Sequence, residues 1–414
     1  ACFGSHLLML RANTVHHVRV AYPASNNQQK RDGMSEQSDV LKRFIRYCEV
    51  ASQSNPLTAD TVPSTPAQHT MEQVVAKDLE ELGAEDIVVD AHAYVTAHWP
   101  ASAGAENLPT LGFCCHLDTA WQSFGAEVHP RVVRYEGGVL GIGTDRDGRE
   151  VTISPKTNPQ LEHMVGFDLV TSDGTSLLGG DDKAGVAMVV SLLHRLRENP
   201  QLPHPRLAIA FVPDEEIGHG AALLDLDAFG AAYGYTIDGG PLGEFCYETF
   251  NAAEAHVQAT GLSVHTGTAK GIMINAAEAL MRFHQLLPPQ DRPEYTEGYD
   301  GFFYLERMQG DCEYAQADYI IRDHDQKKVE KRKQMMRDAV SYINYQFDSE
   351  VLTISVKDQY RNLADVITRP ENGHLIENAR VAYAAIGQEM TCIPMRGGTD
   401  GSQLSFRGFP CANL

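Results

Sequence analysis

Two adjacent glutamates, Glu215 and Glu216, stand near the middle of the chain, separated by two residues from the apolar run 207–212. That run has the length and composition of a buried strand, so both carboxylates are expected near a strand's carboxyl end. Adjacent carboxylates raise each other's pKa unless a positive charge lies among them. One of the two can bind a metal ion while the other accepts a proton from water. The pair therefore indicates metal-assisted hydrolysis.

Other side chains that could bind a metal ion follow further predicted strands or stand in a glycine-rich turn: His116, Asp118, Asp181, Asp182 and Asp238. Ligands of open α/β sheets bind beyond the carboxyl ends of the strands, so these side chains are expected to meet at one edge. Imidazole and carboxylates suit zinc or a similar divalent ion. Asp181 or Asp182 could instead cap the helix that follows, and Asp118 could be an ordinary turn residue.

The elements that must position these residues alternate between strand and helix from Met34 to about residue 248. Apolar strands are predicted at 86–90, 110–115, 206–212 and 233–237, amphipathic helices at 34–50 and 71–84, and a largely apolar helix at 183–196. This alternation predicts an α/β fold with a mostly parallel sheet and helices on both faces.

Residues 250–362 show a different order of strands and helices, typical of a smaller α+β domain of the ferredoxin-like type. Beyond residue 363 the first pattern resumes. We therefore predict a catalytic domain built from 34–249 and 363–414, with a lid domain, 250–362, inserted into it. Residues 1–33 are predicted to be a non-native or unstructured extension, with a transit peptide as the alternative. The abrupt stop at "GFPCANL" predicts a truncated second part of the catalytic domain.

The composition excludes some partners. The 414 residues include 34 Lys and Arg against 55 Asp and Glu, a formal charge of −21, which argues against nucleic acid and anionic membranes. Eight scattered cysteines without a CxxC pair predict a reducing compartment, the cytoplasm. The apolar stretches are too short to cross a bilayer.

Several motifs carry a family resemblance, in this order: "GFCCHLDTA", "LLGGDDKAGVA", "FVPDEEIGHGA", "YTIDGG", "VHTGTAKG", "YIIRDHD" and "IPMRGGTDGSQLSFRGFPCANL". Over 34–414 the sequence resembles the tripeptide aminopeptidase branch of the di-zinc metallopeptidase family, which also contains glutamate carboxypeptidases and aminoacylases. The resemblance implies release of the N-terminal residue of tripeptides and a homodimer formed through the lid domain.

The resemblance also implies a role for each matching residue. The residues implied to bind two zinc ions, with Asp181 bridging them, are His116, Asp181, Glu216 and Asp238. Glu215 would be the general base, and Asp118 would orient His116. The residues implied to bind the substrate are His265, Asn275, Arg322 and Arg396. An arginine suits a peptide carboxylate, whereas an ion pair on the surface or between the domains is the alternative.

The family supplies one more metal-binding histidine from a segment beyond "PCANL", so the resemblance leaves the second zinc one ligand short in these 414 residues. The alternatives to a tripeptide aminopeptidase are a related di-zinc dipeptidase, carboxypeptidase or N-deacylase, or an inactive fragment that lacks one zinc ligand.

Overall fold

The computed structural model describes residues 19–22, 38–123 and 127–414. They divide into two compact units, the first containing the described residues up to Gly240 together with Arg407–Leu414, and the second Pro241–Phe406. The strands are β1 Arg19–Tyr22, β2 Glu85–Val89, β3 Val95–Trp99, β4 Leu111–His116, β5 Arg131–Arg134, β6 Leu140–Thr144, β7 Glu150–Ile153, β8 Asp168–Thr171, β9 Leu207–Val212, β10 Tyr233–Thr236, β11 Glu244–Glu248, β12 Asn251–Thr260, β13 Phe302–Gly310, β14 Tyr314–Asp323, β15 Leu352–Tyr360, β16 Thr391–Pro394 and β17 Cys411–Asn413. The helices are α1 Asp39–Cys48, α2 Ala67–Leu82, α3 Gly180–Glu198, α4 Leu226–Phe229, α5 Ala276–Leu286, α6 Gln326–Phe347, α7 Ala364–Ile367, α8 His374–Ala385 and α9 Asp400–Phe406.

The main sheet of the first unit runs in the order β17-β10-β4-β9-β3-β2. The pairs β17–β10, β10–β4 and β4–β9 are parallel, whereas β3 and β2 continue the sheet in antiparallel fashion. His116 at the end of β4 lies opposite Val212 at the end of β9. The strand ends that carry the candidate site residues therefore share one edge of the sheet, and the predicted α/β fold is confirmed.

The core of the first unit lies between this sheet and α1, α2 and α3. Phe44 and Tyr47 of α1, Leu79 of α2 and Val190 of α3 pack with Phe211 of β9, all at most 1% exposed. Helix α3 is buried on nearly every side because "AGVAMVV" offers it no polar face. Gly83 ends α2 in the left-handed conformation at φ 89°, which glycine adopts without steric cost.

Two small sheets of the first unit were not predicted. One has the order β1-β8-β5 and the other joins β6 to β7. Their strands are four or five residues long, and β5, β6 and β7 are largely exposed, so no continuous apolar run marks them. Strand β1 lies within the segment 1–33, for which an extension was predicted; the other residues of that segment, apart from β1, lie outside the described residues.

The second unit contains a four-stranded antiparallel sheet in the order β13-β14-β12-β15. Along β12 buried residues alternate with more exposed ones from Ala253 onward, and the buried face packs on α5 and α6. Phe283 and Met336 of these helices are fully buried against it. This sheet and its two helices form the predicted α+β part of the fold.

Residues 363–406 belong to the second unit by their contacts, because β16 pairs in parallel with β11. The second unit therefore contains the predicted lid range, 250–362, and more besides. The domain boundaries predicted from the sequence, at 249/250 and 362/363, stay predictions. Within the described ranges, no helix combines the length and the apolar character that a membrane crossing requires.

Candidate metal centre

His116, Asp181 and Asp238 come together at the carboxyl edge of the main sheet. His116 ends β4, Asp181 stands at the start of α3, and Asp238 follows β10. The Nε2 atom of His116 lies 2.8 Å from Oδ1 of Asp181 and 4.0 Å from Oδ2 of Asp238. One ligand atom from each residue lies within 4.8 Å of the other two, close enough for all three to bind one metal ion.

The ring of His116 is held from both sides. Its Nδ1 atom lies 2.9 Å from the carbonyl oxygen of Asp118 and 3.3 Å from the Oδ1 atom of the same residue. Burial alone would lower the pKa of His116, but its hydrogen bonds to Asp118 and Asp181 raise that pKa well above the usual value. The second contact of the ring fixes its orientation, as is usual for a histidine that binds metal.

The carboxylates of this cluster repel one another. Burial, followed by the charges of Asp181 and Asp182, raises the pKa of Asp238 well above its usual value, and Glu215 adds to the effect. A divalent cation would offset this excess of negative charge. With one imidazole and two carboxylates, the donor set fits zinc.

Asp118 connects the histidine to the pair of glutamates. It is fully buried, and its two carboxylate oxygens accept the backbone N–H groups of Glu215, at 3.0 Å, and Glu216, at 3.1 Å. The turn after β9 is thus attached to the end of β4. Asp118 therefore positions the backbone of both glutamates, in addition to contacting His116.

The two aspartates of the glycine-rich turn have different partners. Asp181 contacts His116, whereas Oδ1 of Asp182 accepts the backbone N–H of Gly185 at 3.1 Å, as a capping residue does. Oδ2 of Asp182 also accepts the backbone N–H of His116 at 3.3 Å. Gly185 has no space for a side chain, since an added Cβ would lie 2.2 Å from the carbonyl oxygen of Ile237.

Lys183, next to these aspartates, is 1% exposed and donates from Nζ to the carbonyl oxygen of Val50. Burial lowers its pKa to about 8. Asn413 of β17 donates to the carbonyl oxygen of Asp238 at 3.0 Å, which holds the segment after β10.

Asp214 faces away from the cluster. Its carboxylate accepts the backbone N–H and the hydroxyl of Ser64, at 2.7 and 2.5 Å, and the side-chain amide of Gln68, at 2.6 Å. Asp214 is fully buried, adopts φ 57°, and its own N–H donates to Gln68. This network attaches the glutamate turn to the start of α2, and no local sequence pattern predicts it.

Glu216 is not part of the three-residue cluster in the described structure. A histidine of α3, His194, is not a further ligand of this cluster, since its Nδ1 lies 3.1 Å from Asp39 and its Nε2 3.6 Å from Glu198. The described residues thus offer three close ligands for one ion.

The residues predicted to bind substrate all lie in the second unit. Arg322 is 5% exposed, and its Nη1 atom donates to the carbonyl oxygens of Ala253 and Ile321. Arg396 donates to the carbonyl oxygens of Gly298 and Asp300. Both guanidinium groups therefore hold backbone of their own unit.

The other two predicted substrate residues each precede a helical segment: Asn275 precedes α5, and His265 precedes the short helical turn Thr266–Thr268. Asn275 caps α5 by accepting the N–H of Glu278 at 3.2 Å. His265 is exposed, and its Nδ1 atom accepts the N–H of Gly267 at 3.2 Å. His265 is thus an exposed ring held through Nδ1 at the start of a short helical turn.

Comparisons with known proteins assign the family. The sequence signature of the peptidase dimerisation domain matches residues 247–348. Peptidase T from Geobacillus kaustophilus is 41% identical over 377 residues, covering 91% of this chain and 90% of that protein. Peptidase T from Parabacteroides distasonis is 42% identical over 375 residues, with 91% and 90% covered.

The fold is also similar to that of a solved structure, aminopeptidase PepT from Bacillus cereus, with a TM-score of 0.69 at 22% identity, covering 92% of this chain and 91% of that one. Sequence identity of about two fifths along nearly the whole length decides the assignment. The chain therefore belongs to the peptidase T family of M20 metallopeptidases and is a peptidase.

Proposed function

We propose that this chain is a zinc-dependent aminopeptidase that releases the N-terminal residue of tripeptides. The observation that carries the proposal is the cluster of His116, Asp181 and Asp238 beside the turn that bears Glu215. The choice of substrate is supported by the similarity to proteins named peptidase T.

His116, Asp181 and Asp238 would hold one zinc ion, and Asp181 with Glu216 would contribute to a second. A bound zinc ion supplies a Lewis acid that lowers the pKa of water and polarises a carbonyl group. Burial, and then the charges of Asp181 and Asp182, raises the pKa of Asp238. A cation bound here would offset both effects, which supports the proposed site.

Glu215 would act as the general base. Its carboxylate would take a proton from the attacking water and then pass it to the amine that leaves when the peptide bond breaks. Asp118 supports this role, because it fixes the backbone N–H of Glu215 and the ring of His116 together. The backbone of Glu215 and the ring of His116 would therefore keep their relative positions during the proton transfer.

His265, Asn275, Arg322 and Arg396 would bind the peptide, a proposal that rests on their match to the family motifs. The exposed ring of His265 is consistent with it. The donors of Arg322 and Arg396 that hold backbone carbonyls are already engaged, so any peptide carboxylate would use the remaining N–H groups.

The variant Glu215→Gln tests the mechanism. It removes the base and keeps the shape, so kcat for a tripeptide is expected to fall by about 10²–10⁴-fold, the usual contribution of general base catalysis. Zinc content measured by mass spectrometry should not change, because Glu215 is not among the proposed ligands.

Glu162→Gln, a change at an exposed glutamate, is the matched control and should leave kcat unchanged. A panel of tripeptides, dipeptides, C-terminally blocked peptides and N-acyl amino acids tests the substrate. Faster hydrolysis of dipeptides or N-acyl amino acids would contradict the tripeptide assignment, and full activity of Glu215→Gln would contradict the assigned base.

A further inference from the structure

A cavity of about 190 Å³ lies within the second unit, away from the residues assigned above, beside the end of α5 and strand β13. Much of its wall is apolar: Leu287, Pro288, Pro293, Phe303 and Leu305. The polar groups of the wall come from His284, Arg292, Glu294, Tyr304 and Tyr319, and the carboxylate of Glu294 belongs to an exposed residue. Pockets for drug-sized ligands measure roughly 300–1,000 Å³, so this cavity suits a smaller molecule.

Arg292, His284 and Tyr319 form a chain of hydrogen bonds with a fixed direction. Nη2 of Arg292 lies 3.2 Å from Nε2 of His284, whose Nδ1 lies 3.1 Å from the hydroxyl of Tyr319. A guanidinium can only donate, so Nε2 accepts. Burial, and then the charge of Arg292, lower the pKa of His284, which favours the neutral ring. The single ring proton therefore lies on Nδ1 and is donated to Tyr319.

This direction leaves the hydroxyl hydrogen of Tyr319 as a donor. Tyr319 is 1% exposed, and within the described part of the chain its oxygen has a hydrogen bond only with His284. A buried hydroxyl that cannot donate loses favourable free energy. An acceptor supplied by a ligand would complete the chain.

Arg292 supplies a charge without a counterion. Among the described residues no carboxylate lies within 4.0 Å of its guanidinium, whereas the neighbouring Arg332 pairs with both Asp291 and Asp323. Arg292 and Tyr319 thus supply a half-buried cation and a buried O–H donor on this wall. Such a set recognises an anion, and a guanidinium matches a carboxylate with two parallel bonds.

We propose that this cavity binds a small aliphatic carboxylate. Its carboxylate would pair with Arg292 on the wall that also carries the Tyr319 hydroxyl, and its hydrocarbon part would contact the prolines and Phe303. The five apolar residues of the wall favour such a ligand over inorganic phosphate, which would leave them without a partner. This site is separate from the proposed hydrolysis and does not depend on it.

Isothermal titration calorimetry on the full chain, treated with EDTA, would test the site with 4-methylpentanoate as the probe. Metal removal excludes binding of the carboxylate through the proposed zinc site. Saturable binding of one molecule per chain is expected. Arg292→Ala should weaken it about tenfold or more, as the loss of a charged hydrogen bond does, and Tyr319→Phe by about two- to tenfold.

Arg337→Ala, which changes an exposed arginine on α6, is the matched control and should bind as the unaltered chain does. Tyr319→Phe keeps the ring that packs in the core, so this variant decides the question if Arg292→Ala does not fold. Three results would each overturn the proposal. They are the absence of saturable binding at millimolar probe, binding by both Arg292→Ala and Tyr319→Phe as tight as that of the unaltered chain, and binding of inorganic phosphate tighter than that of 4-methylpentanoate.

Discussion

Asp118 connects the histidine of the candidate site to the pair of glutamates. Its carboxylate accepts two backbone N–H groups, at 3.0 and 3.1 Å, and lies 3.3 Å from the ring of His116. A carboxylate can accept all of these bonds at once, whereas an amide offers only one accepting atom. One buried residue therefore sets the geometry of the histidine and of both glutamates.

Asp118→Asn is expected to leave a buried N–H without an acceptor. The free energy of unfolding should fall by about 1–3 kcal/mol, measured by urea denaturation, and kcat should fall as Glu215 loses its fixed position. Asp147→Asn changes a carboxylate that is 69% exposed and should alter stability by less than about 0.5 kcal/mol. An Asp118→Asn variant as stable and active as the unaltered chain would contradict the positioning role.

Ser64 affects the glutamate turn through Asp214. Ser64→Ala removes the hydroxyl that donates to Asp214 and is expected to cost about 1–3 kcal/mol of unfolding free energy, since a buried carboxylate loses a partner. Ser349→Ala, at an exposed position, serves as the control. Equal urea midpoints for Ser64→Ala and the control would show that Asp214 does not depend on this bond.

The sequence predicts some site residues far better than others. His116 and Asp238 follow apolar strands, so the strand pattern alone brings them to one sheet edge. Ser64 and Gln68 are 150 and 146 residues from their partner Asp214, and no local pattern marks such a contact. Long-range hydrogen bonds to a buried carboxylate become visible only in the folded chain.

At the scale of elements, the strands that carry the site were predictable because they are continuous apolar runs. Strand β3 is also buried at every position, yet "VTAHW" mixes polar and apolar residues and was not predicted. His98 within it is buried where β3 lies between β9 and β2, and its Nε2 lies 3.1 Å from the carbonyl oxygen of Phe229. Tertiary contacts therefore override the local pattern at this strand.

The approach of α3 to the end of β10 depends on Gly185. An added Cβ would lie 2.2 Å from the carbonyl oxygen of Ile237 and 2.4 Å from Oδ1 of Asp182. Gly185→Ala should therefore separate the helix from the strand end that precedes Asp238, at a cost of about 1–3 kcal/mol. Zinc affinity should fall with it, because Asp181 and Asp238 move apart.

Gly373→Ala is the control for this prediction, since its added Cβ would meet only atoms at 3.9 Å. Competition with a chromogenic chelator would measure zinc affinity, and thermal unfolding would measure stability. Unchanged values of both for Gly185→Ala would contradict the tight approach of helix and strand.

Across the whole molecule, the formal charge of −21 is reflected in a site where carboxylates outnumber cationic groups. Because Asp181 and Asp238 repel each other, assembling them in the folded chain opposes folding until a cation binds. Three separate segments, β4, the start of α3 and the residue after β10, carry the three candidate ligands. An unfolded chain cannot hold these side chains together, so metal binding at this site would be linked to folding.

Removal of metal is therefore expected to destabilise the protein. A ligand present at about 100 times its Kd adds about 2.7 kcal/mol to the unfolding free energy if only the folded chain binds it. With a shift of roughly 2–4 °C per kcal/mol, EDTA should lower the Tm by about 5–10 °C. Calorimetry with and without EDTA, alongside zinc content by mass spectrometry, measures this. His116→Ala should show no further loss with EDTA, because the site has already lost a ligand. An equal Tm shift in His116→Ala would mean that the stabilising ion binds elsewhere, since the cluster without its imidazole retains two carboxylates that repel each other.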